Sequence, residues 1–423
     1  MHRKFGYNRR KMLRMVIKRE KYLKELRPYI NRPIIKVITG IRRVGKSELL
    51  KMVREELLQM GVTEIQITYM NFESFQWNAY KSAEALYAFL QERYAQLADG
   101  QRMYLLLDEI QEVEAWEKVI NSLLADWDVD IYITGSNSHL LSSELSTFLS
   151  GRYVEIMVYP LSFREFLDFH AISHDDSAGR RTAFVQYLRQ GGFPIAHIAD
   201  YADEDIYKLV YDIYSSVLLR DTIQRYKIRN VDMLERLVYF LFNNIGNNFS
   251  AKNVTAYLKS QQRRLDHETL YNYLAGLQAS FILQRAPRYD LKGKELLQTN
   301  EKFFLMDISL LHALQGYRPN MIAGMLENLV FTELRRQGFY VYVGKIGDAE
   351  VDFVAEKQDR RMYVQVCYRA DSSTTMEREL SALKNISDNY PKYIVTTDDL
   401  ITGSYDGIQC VHICDFLMMD LFQ

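Results

Sequence analysis

The sequence predicts an α/β fold built on a parallel, doubly wound sheet, and three observations predict it. Short apolar, β-branched runs alternate with stretches of helical spacing over residues 33–134. Three of these runs end in polar or glycine clusters: Gly40 to Ser47, Asp108 with Glu109, and Gly135 to Asn137. Doubly wound sheets bind ligands at the carboxyl ends of their strands, where all three clusters fall. The pattern changes after residue 231, and a chain of 423 residues exceeds what one hydrophobic core serves, so further domains are expected.

The first strand spans 33–39 (PIIKVIT), and the next helix spans 47–60, with Leu49, Leu50, Val53, Leu57 and Leu58 at helical spacing. Between them stands Gly40-Ile41-Arg42-Arg43-Val44-Gly45-Lys46-Ser47, which fits G-x-x-x-x-G-K-[ST]. Gly40 and Gly45 allow backbone angles closed to other residues. The N–H groups of the loop, including those of Arg43 and Val44, then face an anion together with the helix N-terminus. Lys46 is placed to reach the β- and γ-phosphates, and the Ser47 hydroxyl to hold Mg²⁺. ATP with Mg²⁺ is the expected ligand.

A strand is expected over 64–70, a helix over 82–97, a strand over 104–109, a helix over 116–127 and a strand over 129–134. Asp108 ends its apolar strand, as a residue must to reach Mg²⁺ beside Ser47. Glu109 is the candidate to polarise the attacking water, because in-line attack needs a positioned base. Two readings stand for Asn137: a polar sensor of the γ-phosphate, or the N-cap of a helix over 138–149. Arg152, in Ser150-Gly151-Arg152, is an arginine finger in cis or from a neighbouring subunit, or a surface turn residue. No Asn-Lys-x-Asp motif is present to read guanine.

These motifs are followed by Tyr159-Pro160-Leu161-Ser162-Phe163 in one order. The sequence resembles the prokaryotic AAA+-related ATPases that carry a C-terminal domain of unknown function, most specifically over residues 33–166. The resemblance implies a P-loop core with an additional strand and a catalytic glutamate, and lends Asp108, Glu109 and Asn137 the roles given above. The expected domains are a basic segment (1–30), the P-loop core (31–160), a helical lid (161–231), a winged helix (232–310) and an α/β domain (311–423).

In the lid, Gly191-Gly192-Phe193-Pro194 reads as a sharp turn and 206–220 as an amphipathic helix; Arg220 and Arg225 are read as surface residues rather than nucleotide sensors. In 232–310, helices are expected over 234–243, after Ser250 and after Asp266, followed by a hairpin turning at 290–294. Lys252, Lys259, Arg263, Arg264, Arg285, Arg288, Lys292 and Lys294 make this region locally basic. Asp266 and Glu268 open the presumed recognition helix with the charge that phosphates repel, so DNA and a protein partner both stand as its ligand. In the last domain, Glu327 falls on a helix, Asp352 on one strand and Gln365 on the next. This resembles the PD-(D/E)xK nuclease fold, whose metal site uses Glu, Asp and a Glu/Gln-x-Lys pair. Cys367 takes the lysine position here, and without that lysine the resemblance implies a domain that does not cleave. The competing reading takes Glu327 and Asp352 as unrelated surface acids.

A net charge of −1 makes no global case for nucleic-acid binding. The basic run from Arg3 to Lys21 is read as a solvated helical face, against a basic arm for nucleic acid. The three cysteines suit a reducing cytoplasm, and Cys410-x-His412-x-Cys414 reads as alternating strand residues, with no second ligand pair to close a tetrahedral metal site. No apolar run reaches membrane-spanning length and no signal peptide opens the chain, so a cytoplasmic protein without membrane partners is expected. The expected function is Mg²⁺-dependent ATP hydrolysis that drives or switches C-terminal domains binding nucleic acid or a partner, as a monomer or an oligomer. Two alternatives are a non-hydrolysing ATP sensor, which an intact Glu109 disfavours, and an ATP-regulated nuclease, which Cys367 disfavours.

Overall fold

Apolar strands without an exposed face need cover on both sides, and five of them form one parallel sheet. The computed structural model describes residues 17–136, 151–263, 265–369 and 373–421. The sheet consists of β1 (Ile35–Thr39), β2 (Ile67–Asn71), β3 (Met103–Asp108), β4 (Val129–Gly135) and β5 (Tyr153–Met157). Their order is β2-β3-β4-β1-β5, every pair parallel. β4 is thus inserted between β1 and β3, the additional strand that was expected. The three central strands are buried along their whole length, while β2 and β5 at the edges are partly exposed.

One position in the apolar first strand departs from its pattern. Lys36 is fully buried and ion-paired to Asp130 of β4, which also accepts the Tyr132 hydroxyl at 3.1 Å and the Asn31 N–H at 2.9 Å. A buried pair satisfied this way holds the β1–β4 register, and removing one partner costs about 3–5 kcal/mol.

The expected strand over 64–70 begins late, at Ile67. Thr63 and Gln66 form a reciprocal capping box that winds 64–66 into a helical turn first. Helix α1 (Glu20–Leu26) precedes the sheet, and α2 (Lys46–Gln59), α3 (Ala83–Tyr94) and α4 (Trp116–Asp126) connect its strands. The α4 side chains Trp116, Val119, Ile120 and Leu123 join Leu105, Leu107 and Ile133 in one apolar cluster.

Compact units divide between Tyr159 and Pro160, with the short stretch Ala279–Phe281 grouped with the first. The segment expected as a lid therefore belongs to the second unit. Its helices are α5 (Phe163–Phe169), α6 (Ser177–Gln190) and α7 (Asp203–Ser216). Pro160 precedes α5, and a capping box between Ser162 and Glu165 starts it, which is why the helix begins four residues after Tyr159. The helix expected over 206–220 widens after Ser216 into a π-helical stretch, Val217–Gln224, on which Arg220 is exposed, as is Arg225 beyond it.

Three further helices follow, α8 (Val231–Asn243), α9 (Ala251–Ser260) and α10 (His267–Ala279). Ser250 caps α9 and Asp266 accepts the Thr269 N–H at the start of α10, as the sequence predicts. The hairpin β6 (Leu283–Asp290) and β7 (Glu295–Leu305) turns on Asp290, whose carboxylate accepts the N–H groups of Lys292 and Gly293. β6 also pairs in parallel with β8 (Tyr340–Ile346), and one eight-stranded sheet runs across the division expected at 310/311. After α11 (Ser309–Gln315) and α12 (Ile322–Arg336), that sheet is completed by β9 (Ala349–Lys357), β10 (Arg360–Cys367), β11 (Lys392–Thr396), β12 (Gly403–Tyr405) and β13 (Ile408–His412). α13 (Ser373–Lys384) lies between β10 and β11, and α14 (Ile413–Phe416) follows β13. Cys410 is on a strand as expected. Cys414 is not: the His412 ring accepts its N–H and starts α14 there.

Candidate functional site

All five strands of the first sheet point the same way, so the segments after β1, β3 and β4 emerge at one edge. After β1 the chain turns through positive φ at Gly40 (142°), Arg43 (67°) and Gly45 (96°) before α2 begins at Lys46. At Gly40 only glycine fits, because a Cβ would stand 2.3 Å from the Val158 carbonyl oxygen. Val44 is buried behind the loop while Arg43 is exposed. Arg42, beside them, pairs with Glu73 at 2.8 Å.

Lys46 is buried and donates to the loop carbonyls of Gly40 at 3.0 Å and Ile41 at 3.4 Å, and its ammonium lies 3.5 Å from the Glu109 carboxylate. Asp108, at the end of β3, has no exposed surface. Its carboxylate accepts hydroxyl hydrogens from Thr134 (2.6 Å) and Tyr69 (3.1 Å), and the nearby Ser47 side chain also favours its charged form. Burial raises the pKa of Asp108 above the ordinary carboxylate value despite these donors. Glu109 ends on the other side of its usual range. Burial alone would raise it, but the Lys46 charge and the Gln111 amide hydrogen bond hold it low.

Glu109 occupies the left-handed region, with φ of 53°, a strained setting for a non-glycine residue. The strain is held by its N–H, which donates to the Thr134 hydroxyl at 2.8 Å. Thr134 thus binds both carboxylate residues at once. Sequence reading missed Thr134, Tyr69 and Gln111 as members of the site. The cross-strand register, with Asn71 opposite Asp108 and Leu107 opposite Ile133, brings Tyr69 and Thr134 there, whereas Gln111 reaches Glu109 from two residues along the chain.

Of the predicted site residues, Gly40, Arg43, Val44, Gly45, Lys46, Ser47, Asp108 and Glu109 lie together at this edge. Asn137, the helix expected over 138–149, Arg264 and the N-terminal basic residues through residue 16 lie outside the described residues. Arg152 is elsewhere. Its carbonyl accepts the Ile35 N–H at the opposite end of β1, five strand residues or about 17 Å from the loop. That separation exceeds the reach of an arginine side chain, so Arg152 does not serve the phosphate loop of its own chain.

The donor set suits a magnesium nucleotide. Ser47 and Asp108 form a pair of hard oxygen donors, Lys46 supplies a buried cation, and the Cβ position of Gly45 meets nothing within 4 Å. The Ser136 hydroxyl, just after β4, is buried with no hydrogen-bond partner among the described residues.

A second charged cluster lies in the eight-stranded sheet. Lys302 of β7 is buried with its ammonium 3.1 Å from Glu327, 3.0 Å from Glu350 and 3.5 Å from Asp352. Burial alone would lower its pKa, but the three carboxylates outweigh burial and hold it above the usual lysine value. Glu327 is pushed up to about 8 by burial and by the neighbouring Asp352 charge. Glu327 and Asp352 are therefore not unrelated surface acids. Gln365 turns its side-chain oxygen to the Asp352 N–H at 3.1 Å, and Cys367 packs in the apolar core. Asn248 covers the cluster, donating its amide to Glu350 at 2.9 Å and bridging to Lys302 through the backbone. Among the described residues, no group of three His, Cys, Asp or Glu side chains is arranged to hold a metal ion. Lys302 had no sequence signal beyond being one polar residue in a strand.

The basic residues of 232–310 are partly neutralised. Arg263 pairs with Asp232, Arg285 with Glu301 and Arg288 with Glu350. Lys252, Lys259, Lys292 and Lys294 are exposed. Among the described residues, no helix is long and apolar enough to cross a membrane.

Comparison with known proteins agrees with the first sheet. Residues 32–167 match the model of an AAA domain, and residues 181–320 and 323–416 match two domains of unknown function. The chain is 38% identical over 409 residues to an uncharacterized protein of Haemophilus influenzae, covering 96% of this chain and all of that one. An uncharacterized protein of Methanocaldococcus jannaschii is 31% identical over 386 residues, covering 86% of this chain and 82% of the relative. Among solved structures, a Walker-type ATPase of Pyrococcus abyssi aligns at 14% identity over 71% of this chain and 96% of its own, with a TM-score of 0.46.

Proposed function

The chain belongs to the AAA-domain family that it shares with these bacterial and archaeal relatives, and on that premise we propose that it is a Mg²⁺-dependent ATPase. The observation that carries this reading is the convergence of Lys46, Ser47, Asp108 and Glu109 at one strand edge, with the Ser47 side chain near Asp108 and Lys46 beside Glu109. Lys46 neutralises the β- and γ-phosphate oxygens, and the loop N–H groups cradle them. Ser47 and Asp108 hold Mg²⁺, which supplies further neutralisation of phosphate charge when bound. Glu109 is ionised at neutral pH, so it can accept a proton from the attacking water. Thr134 and Gln111 fix its orientation. Asn137 takes the sensor role, and Arg152 acts as a finger toward the site of a neighbouring copy.

Hydrolysis then drives or switches the second unit. The three helices with the β6–β7 hairpin are read as a winged helix that contacts DNA or a protein partner. The succession α12, β8, β9, β10, α13, β11 supports a nuclease-like domain. Lys302 and Cys367 both argue against cleavage there, since an ammonium already satisfies the carboxylates that a metal would need.

The test is calorimetry of ATP·Mg²⁺ with the wild-type chain and Lys46→Ala. Removing the ammonium that faces the phosphates should abolish measurable binding, and equal affinity in the variant would end the phosphate-loop assignment.

A further inference from the structure

Among the described residues that precede the first strand, one cation is treated differently from its neighbours. Lys18, Lys24 and Arg27 are exposed, whereas Arg19 is only 4% exposed. Its guanidinium donates from Nη1 to the Val44 carbonyl at 2.9 Å and from Nη2 to the Tyr159 carbonyl at 2.9 Å. The guanidinium carbon lies 4.7 Å from the centroid of the Tyr22 ring, and the Tyr22 hydroxyl, 3.5 Å from Nη2, accepts the Tyr159 N–H at 3.0 Å. Arg19 and Tyr22 thus clamp two stretches of backbone, the phosphate loop and the segment after β5. The second stretch is itself pressed on the loop, for the Val158 N–H donates to Thr39 at 2.8 Å and the Val158 carbonyl excludes any side chain from Gly40.

The bond to Val44 has a geometric consequence. In a planar trans peptide, C=O and N–H point in opposite directions. Holding the Val44 oxygen toward Arg19 therefore turns the Gly45 N–H away from it. One of the two residues that this peptide joins, Gly45, has a positive φ of 96° and no Cβ to hinder its rotation. A peptide that leads into glycine can turn at modest cost unless a donor holds it. Arginine suits the task because its fork serves two carbonyls at once while remaining charged, and it stacks on an aromatic face; a lysine ammonium is a point charge without that geometry.

We propose that Arg19 is a positioning residue for nucleotide binding: it locks the Val44–Gly45 peptide so that the Gly45 N–H is presented to phosphate, and it ties that peptide to the backbone at Tyr159. The inference rests on the ATP reading above. It assigns Arg19 no contact with nucleotide and no part in the chemical step.

The full chain, Arg19→Ala, Arg19→Lys and Tyr22→Phe are titrated with ATP·Mg²⁺ by calorimetry, and thermal unfolding of each is recorded without nucleotide. Arg19→Ala should weaken binding by about tenfold or more, the effect of losing a charged hydrogen-bond donor. Arg19→Lys should recover only part of the affinity. Methylguanidinium at millimolar concentration should restore binding to Arg19→Ala but leave Lys46→Ala unchanged, a rescue that loss of general stability does not produce. Should Arg19→Ala fail to fold, Arg19→Lys decides the matter. Wild-type affinity in Arg19→Lys, or in a folded Arg19→Ala, overturns the proposal. A wild-type chain that binds no ATP overturns the ATP reading itself, and the Arg19 role falls with it.

Discussion

Glu109 shows how much a single residue can be asked to do. It sits at a strained φ of 53°, within 3.5 Å of the Lys46 ammonium, and burial would raise its pKa were it not for that cation, the Gln111 hydrogen bond and the Arg42 charge. A carboxylate held ionised without solvent is a competent base for water. Glu109→Gln keeps the volume and the N–H bond to Thr134 but removes the base. Turnover is expected to fall by about 10²–10⁴-fold with ATP affinity retained, and steady-state phosphate release beside calorimetry checks both halves. Wild-type turnover in the variant would assign the base to another residue. The two carboxylates were legible from their place at the end of an apolar strand. The residues that hold them were not, because Thr134 is 26 positions from Asp108 and Tyr69 is 39 away, contacts made only by strand order.

At the scale of the element, the β6–β7 hairpin takes part in two structures. Its far end carries exposed Lys292 and Lys294, while Lys302 on the returning strand enters the carboxylate cluster. If the hairpin contacts DNA phosphates, log affinity falls linearly with log salt at about 0.9 per contact. Lys292→Ala with Lys294→Ala should then flatten the slope by about 1.8, measured by fluorescence anisotropy on a duplex at several salt concentrations. An unchanged slope assigns the hairpin tip to protein contacts or to none. The cluster makes a separate prediction. Burial and the Asp352 charge push Glu327 up to about 8 in the fold, against an ordinary glutamate value near 4.5 in the unfolded chain. Between these values the folded chain keeps a proton that the unfolded chain has released, so stability falls as pH rises through this window. Glu327→Gln mimics the protonated form. Its stability relative to wild type should therefore be greater at pH 8.5 than at pH 5, by on the order of a few kcal/mol. Thermal unfolding at the two pH values tests it, and equal differences would show that Glu327 is charged in the fold.

For the molecule as a whole, the placement of Arg152 bears on assembly. It stands at the end of β1 opposite to the phosphate loop, so any action on a γ-phosphate requires a second copy. Specific ATPase activity should then rise with protein concentration in the wild type. Arg152→Ala should be slower by about 10³-fold or more at high concentration and lose the concentration dependence. A rate independent of concentration and unaffected by the substitution would return Arg152 to an ordinary surface turn. The division at Tyr159–Pro160 also moves the segment expected as a lid into the second unit. There the Asp307 carboxylate accepts the Gly192 N–H at 2.7 Å, and the Leu188 carbonyl lies 2.9 Å from a His312 ring nitrogen. Helical periodicity found those helices, but their partners lie more than a hundred residues away.

Local spacing alone determined the phosphate loop, the strand that ends in Asp108 and Glu109, the caps at Ser250 and Asp266, and the turn at Asp290. Each is an interaction within a few residues, where glycine, a capping hydroxyl or a carboxylate has a defined geometric use. Tertiary structure decided that Lys36 pairs with Asp130, that Thr134 joins two carboxylates, and that Arg19 reaches the back of the loop. It also decided that Lys302 fills the space among Glu327, Glu350 and Asp352. These contacts depend on which strands are neighbours and in what register. A buried charge is stable only where the fold delivers its partner, and no period along the chain encodes that meeting.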